Sequence, residues 1–163
     1  MATFVPEIAT RTSTATTTLN VNNTTGSLVA FTITGSIEAY IYGVVTTVLS
    51  SNVTAAHLRL NDQSATVDIT LNTGVALSSA PVGSIIARTG LVASALTLKS
   101  AAAGAFQDAA SAGNGVLTPF IVTKKSGATT TIDFRYTTTN APSTGAIQWF
   151  LVWQARSADA AVS

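Results

Sequence analysis

The groups in this sequence best suited to acid–base chemistry or metal ligation are one histidine, His57, and seven carboxylates: Glu7, Glu38, Asp62, Asp68, Asp108, Asp133 and Asp159. A triad through His57 requires a nucleophile and an orienting acid, but serine and threonine are so frequent that their availability carries no information. His57 reads instead as a solvent-facing position on a strand. Zinc and other transition metals call for thiolates or several imidazoles; with no cysteine and one histidine, only hard oxygen ligands remain. The carboxylates do not repeat at the spacing of a calcium-binding loop. A glycosidase pair would depend on proximity in space that the sequence does not mark, and turn and surface positions account for these acids. Gly26, Gly35 and Gly43 lie in strand territory, without the strand, Gly-rich turn and helix order of a phosphate or dinucleotide site. The sequence predicts no catalytic, cofactor-binding or metal-binding residue, and hence no enzyme.

The remaining chemical candidates are weaker. Tyr40, Tyr42, Trp149 and Trp153 could be a sugar-binding platform, but aromatic residues at strand spacing are more often core or interface. Lys124 and Lys125 are adjacent in a turn and read as a solvated patch. Asn22-Asn23-Thr24 and Asn52-Val53-Thr54 fit the glycosylation acceptor pattern, which arises by chance in a chain so rich in Asn and Thr.

The elements that must position these residues are suggested first by composition. The 163 residues fit one domain. They are 47% hydrophobic but only 9% charged, against an average charged share of about 25%. Hydroxyl and amide groups must therefore keep the chain in water, and partners are expected to cover part of its apolar surface. A formal net charge of +1 provides no field toward nucleic acid or acidic lipid. No apolar run approaches the roughly 18 residues of a spanning helix, and MATFVPEIATRTST lacks the apolar core of a secretory signal. Neither nucleic acid nor membrane is an expected partner.

Along the chain, residues 1–18 are Thr-rich and without apolar period, which predicts an N-terminal arm that becomes extended on contact, or a frayed end. Residues 19–163 are expected to form a single domain. SLVAFTIT and SIEAYIYGVVTTVLSS are rich in Thr, Val, Ile and aromatic residues and closed by Gly or Asn, which is strand chemistry. Gly43, inside YIYGVV, marks a bulge or a close backbone approach. VTAAHLRL alternates with Thr54, Ala56, Leu58 and Leu60 on one face and His57 and Arg59 on the other. ATVDITL sets Val67, Ile69 and Leu71 against Thr66, Asp68 and Thr70. The pair predicts an antiparallel hairpin with Arg59 near Asp68. Short strands are expected at Ser84–Thr89 and in LVASALTLK, and at most a turn or two of helix between Ser100 and Gly113. GVLTPFIVTKK and TTTIDFRYTTT predict a hairpin around Ser126 and Gly127, with Ile132, Phe134 and Tyr136 opposite Asp133 and Arg135. In GAIQWFLVWQA, Ile147, Trp149, Leu151 and Trp153 oppose Ala146, Phe150 and Val152, so neither face suits solvent. That strand is expected to be central or to lie against another subunit. Roughly eight or nine short strands with no strong helix between them predict an all-β, antiparallel β-sandwich, jelly-roll or partly open barrel.

GSIEAYIYGVVTT, LRLND, VDITLNTGVALSSAPVGSIIARTG, FIVTKKSGATTTIDFRYTTT and STGAIQWFLVWQARSADAAV, in that order, resemble small structural proteins encoded in the virion gene clusters of tailed bacteriophages. The likeness runs from about Gly35 onward and rests on strand and turn patterns. It implies a jelly-roll-like sandwich in the virion, on the capsid surface or as a minor head or tail component, often a homotrimer, whose partners are copies of itself and the phage major capsid protein or another virion protein. Its work would be to decorate or stabilise the capsid through protein–protein contacts. A glycan-binding or fibre-like adhesion module of a phage particle is the alternative.

Overall fold

The computed structural model describes residues 9–22, 24–62, 65–103, 117–123, 130–139 and 142–163. Among these lie eleven strands: β1 Thr10–Thr18, β2 Thr25–Thr34, β3 Ser36–Thr47, β4 Val53–Asn61, β5 Thr66–Asp68, β6 Ile85–Ala87, β7 Thr97–Lys99, β8 Phe120–Thr123, β9 Thr130–Thr138, β10 Ala146–Ala155 and β11 Ala161–Val162. A single 3-10 turn, Ala101–Ala103, follows β7; the rest of the Ala-rich stretch, residues 104–116, lies outside the described residues. The chain is all-β, as expected, with more and shorter strands than the apolar runs suggest.

The strands form two antiparallel sheets. The first runs β1-β10-β3-β6-β7, and β8 also pairs with β3. β8 lies against Ser36–Ala39 at one end of that long strand, while β6 meets Tyr42–Val44. The second sheet runs β11-β2-β9-β4-β5. Successive strands β1, β2, β3 and β4 alternate between the sheets, and so do β8, β9, β10 and β11. Between β2 and β3 a single residue, Gly35, turns the chain at φ +68°, where an added Cβ would lie 2.8 Å from Ala160 N; only glycine enters that conformation without strain.

Alternation along each strand sends one set of side chains between the sheets. Ile37, Ile41, Ile147, Trp149 and Leu151 from the first sheet meet Phe31, Ile33, Leu58, Ile132 and Phe134 from the second, all essentially without exposure. Phe134 joins the layers, its ring 5.1 Å from Trp149 across the core and 5.5 Å from Tyr136 along its own strand. Gly43 lies opposite Trp149 in the β3–β10 ladder. A Cβ there would fall 2.8 Å from Trp149 Cε3 and 2.7 Å from Ile147 Cγ2. The close-approach reading of this glycine therefore holds, and the register shift in this ladder falls elsewhere, at Ala146/Ile147.

Several expectations are corrected. Thr10–Thr18 does not stand apart as an arm: it is the edge strand β1, paired with β10 from Thr10↔Gln154 to Thr18↔Ala146. Threonine favours strands, and β10 offers it a ladder. Residues 1–8 of the expected arm lie outside the described residues. β8 and β9 do not form a hairpin ladder, because β8 pairs with β3 in one sheet and β9 with β2 and β4 in the other. Residues 124–129 between them, including Lys124, Lys125, Ser126 and Gly127, lie outside the described residues. Thr54 points away from the core rather than toward it, since a bulge at Ala55, with φ +47°, shifts the register between Thr54 and His57. Thr70 is buried rather than outward: its Oγ1 accepts the Leu58 N–H at 2.9 Å and closes the ladder where β5 ends. Trp149 and Trp153, considered for a subunit interface, are 0% and 4% exposed within one chain.

Candidate functional site

The outward face of the second sheet gathers five ionisable groups that the sequence separates: His57, Arg59, Asp68, Asp133 and Arg135. β9 lies between β2 and β4, so register sets Arg135 opposite His57 and Ser27, and Asp133 opposite Arg59 and Val29. β5 adds Asp68 opposite Arg59. Strand pairing, not sequence proximity, builds this cluster. Asp133 is its anchor and is 3% exposed. Its carboxylate accepts hydrogen bonds from Thr131 Oγ1 at 2.6 Å, Ser27 Oγ at 3.1 Å and Asn61 Nδ2 at 3.5 Å, and lies 3.7 Å from Arg59 Nη2.

Arg59 and Asp68 are cross-strand partners, as the hairpin predicts, yet their charged ends part. The guanidinium of Arg59 reaches back to the buried Asp133, whose charge has the greater need of compensation. The Asp68 carboxylate instead lies 3.7 Å from His57 Nε2. His57 is on the outward face, as expected, but its side chain is only 12% exposed. Its Nδ1 is 3.2 Å from Ala55 O, a contact that favours the Nδ1–H tautomer. No hydroxyl is hydrogen-bonded to His57 among the described residues. Burial, and secondarily the Arg59 charge, lowers the pKa of Arg135, while Asp133 and Asp68 oppose that shift; an arginine stays charged regardless. The Nε atoms of Arg59 and Arg135 are buried without a hydrogen-bond partner among the described residues. Chemically the cluster is a self-compensated ion network that stiffens β4, β5 and β9.

The other acids take separate places. Glu38 pairs with Arg156, Asp62 accepts the Ala65 N–H at 2.6 Å, and Asp159 accepts from Ser157 Oγ at 2.7 Å. Glu7 and Asp108 lie outside the described residues. Among the described residues, no group of three or more His, Cys, Asp or Glu is placed to hold a metal ion, and no helix is long and apolar enough to cross a membrane.

Sequence reasoning passed over Arg88, which is 7% exposed. Its Nε donates to Ile69 O and its Nη1 to Thr118 O, both at 2.8 Å, and its guanidinium lies 5.1 Å from the Phe120 ring. Burial lowers its pKa. One cation thereby ties the end of β5 to the entry of β8. The one available signal is a charge closing the apolar run Ile85-Ile86-Ala87.

The outward face of the first sheet is different in kind. Thr14 on β1, Phe150 on β10 and Tyr42 on β3 stand abreast; one row along are Thr12, Val152 and Tyr40. Tyr42 and Phe150 stack with centroids 5.0 Å apart and planes 11° from parallel. Ile121, on β8 beside Glu38, is 66% exposed. This is the second apolar face expected of GAIQWFLVWQA; Tyr40, Tyr42, Phe150 and Val152 on it are half-buried. Tyr40 and Tyr42 occupy this face and Trp149 and Trp153 the inner one, so the four do not make one sugar platform. A hollow of about 60 Å³ lined by Thr10, Glu38, Tyr40, Val152, Trp153 and Gln154, and another of about 140 Å³ beside Leu60, Val67 and Thr130, are both smaller than the roughly 300 Å³ that small-molecule sites begin at. No protein-family model, curated protein or solved structure matches this chain.

Proposed function

We propose that this chain is a non-enzymatic structural component of a bacteriophage particle, which decorates or stabilises the capsid by packing its first sheet against other virion proteins and copies of itself. The observation that carries the reading is the row of Tyr40, Tyr42, Phe150, Val152 and Ile121 on the outward face of a rigid sheet, in a chain with 9% charged residues. Burying an aromatic and aliphatic surface of this kind is the main source of affinity between proteins. The Thr-rich flank on β1 adds hydroxyl groups that hydrogen-bond without the desolvation penalty of a charge.

The strand order supports a jelly-roll reading of the sandwich. β1, β10, β3 and β6 face β2, β9, β4 and β5, as when an eight-stranded double Greek key is wound from the outermost pair inward. The virion setting, the capsid protein as partner and the count of three copies rest on the sequence resemblance. Replacing both Tyr42 and Phe150 by Ser tests the face directly, because both side chains point away from the core. Binding to empty capsids of the phage that encodes the chain should fall at least about tenfold, as loss of two aromatic anchors does, while circular dichroism shows the variant folded at the assay temperature, its melting temperature lowered by loss of the Tyr42–Phe150 stack. Undiminished capsid binding by that variant would overturn the assignment.

A further inference from the structure

We propose that the free edge of β1 is a self-association site, at which a second copy of this chain pairs antiparallel across a two-fold axis centred on Thr14 and joins two first sheets into one. Unpaired strand edges invite intermolecular pairing, and folded proteins guard them with short strands, charges, prolines or bulges. β11, β5 and β7 are short, at two, three and three residues, and β5 and β7 each carry a charge, Asp68 and Lys99. β1 is nine residues long and pairs with β10 without a register shift. Its sequence TRTSTATTT has no proline and one charge. Among the described residues, its far edge pairs with nothing.

The geometry selects the partner. Leu19 N–H donates to Gly145 O at 3.0 Å, continuing the register of Thr18 with Ala146. In an antiparallel ladder this assigns the backbone groups of residues 11, 13, 15 and 17 to β10 and turns those of Thr10, Thr12, Thr14, Thr16 and Thr18 outward. The outward set is its own complement. With Thr14 on the axis, Thr10 faces the partner's Thr18 and Thr12 faces the partner's Thr16, so about ten backbone hydrogen bonds form and each outer-face pair is Thr–Thr, a favourable cross-strand combination. The single charge, Arg11, faces the partner's Thr17 and not another arginine. This contact uses the strand edge and not the aromatic face, and it stands whether or not the chain belongs to a virion.

Charge placement on exposed Thr12 and Thr16 tests it by sedimentation equilibrium and native mass spectrometry at micromolar concentration. The Thr12→Lys/Thr16→Lys variant sets lysine against lysine twice across the axis. It should halve the copy number of the wild-type species and weaken association by roughly tenfold or more. The Thr12→Lys/Thr16→Glu variant sets each lysine against the other copy's carboxylate and should restore wild-type association. Thr14→Pro removes one outward N–H and no bond to β10, and should separate the copies as the double lysine does. Melting temperatures near wild type verify that each variant is folded. A wild-type protein that is monomeric throughout, a double-lysine variant with unchanged copy number, or a Lys/Glu variant that fails to recover would each overturn the proposal. The aromatic-face variant reports on the other contact, so failure of one is distinguishable from failure of the other.

Discussion

The indole N–H of Trp149 donates to Thr17 Oγ1 at 2.9 Å, in the interior of the first sheet. Trp153 does the same with Ser13 Oγ at 3.1 Å, and Arg11 lies 5.2 Å from the Trp153 ring. The Thr-rich strand at the N-terminal side is thus stitched to β10, which carries both tryptophans, through side chains as well as backbone. A buried indole needs an acceptor, and β1 supplies it.

Thr17→Val keeps the shape and removes that acceptor. We expect a loss of about 1–3 kcal/mol, the cost of leaving a buried donor unpaired, measured by denaturant unfolding followed through tryptophan fluorescence. Deleting residues 1–18 should lower the melting temperature of the free protein markedly, since it strips β10 of its neighbour. An unchanged melting temperature would show that β1 contributes nothing to the domain.

Arg88→Met removes the two hydrogen bonds to Ile69 O and Thr118 O while filling much of the same space. Two buried carbonyls then lose a charged donor, and stability should fall by about 2–3 kcal/mol. Hydrogen exchange provides the specific signature: the amides of residues 69–71, Thr118 and Phe120 should exchange faster, with β2 and β9 unaffected.

Gly43→Ala places a methyl group against Trp149 and Ile147, at 2.8 Å and 2.7 Å from their nearest atoms. Overpacking of this kind costs about 1–3 kcal/mol. Calorimetry should show a lower melting temperature, and near-ultraviolet circular dichroism a changed Trp149 environment.

Asp133→Asn leaves Arg59 and Arg135 facing each other with less compensation and weakens the hydrogen bonds from Ser27 and Thr131. Stability should fall by about 1–3 kcal/mol, and added salt should recover part of it by screening the arginines. His57→Ala, by contrast, removes one hydrogen bond to Ala55 O and should cost no more than about 1 kcal/mol, leaving assembly unchanged in the same sedimentation measurement.

Much of the fold was legible because period-two alternation needs no tertiary knowledge. Ile132, Phe134 and Tyr136 alternate against Asp133 and Arg135 in the sequence, and in the fold the first three are buried on the inner face. The limits have physical causes. A polar edge strand has no apolar period, so Thr10–Thr18 looks like an arm until β10 is there to receive it. Thr54 turned to the other face because one bulged residue reverses the alternation of everything before it. The joining of His57 and Arg59 to Asp133 and Arg135 depends on which strands become neighbours, and pairing across 72 residues, as between Asn61 and Asp133, leaves no local trace. Arg88 was missed because its partners are backbone carbonyls, which every sequence contains.

Quantitative mass spectrometry of purified, salt-washed particles of the phage proposed to carry this chain tests the structural-component reading most directly. The account predicts that the protein is present at one fixed copy number per particle, reproducible between preparations and saturable when added back to particles that lack it. Its absence from washed particles, or a copy number that varies with the preparation, would contradict it.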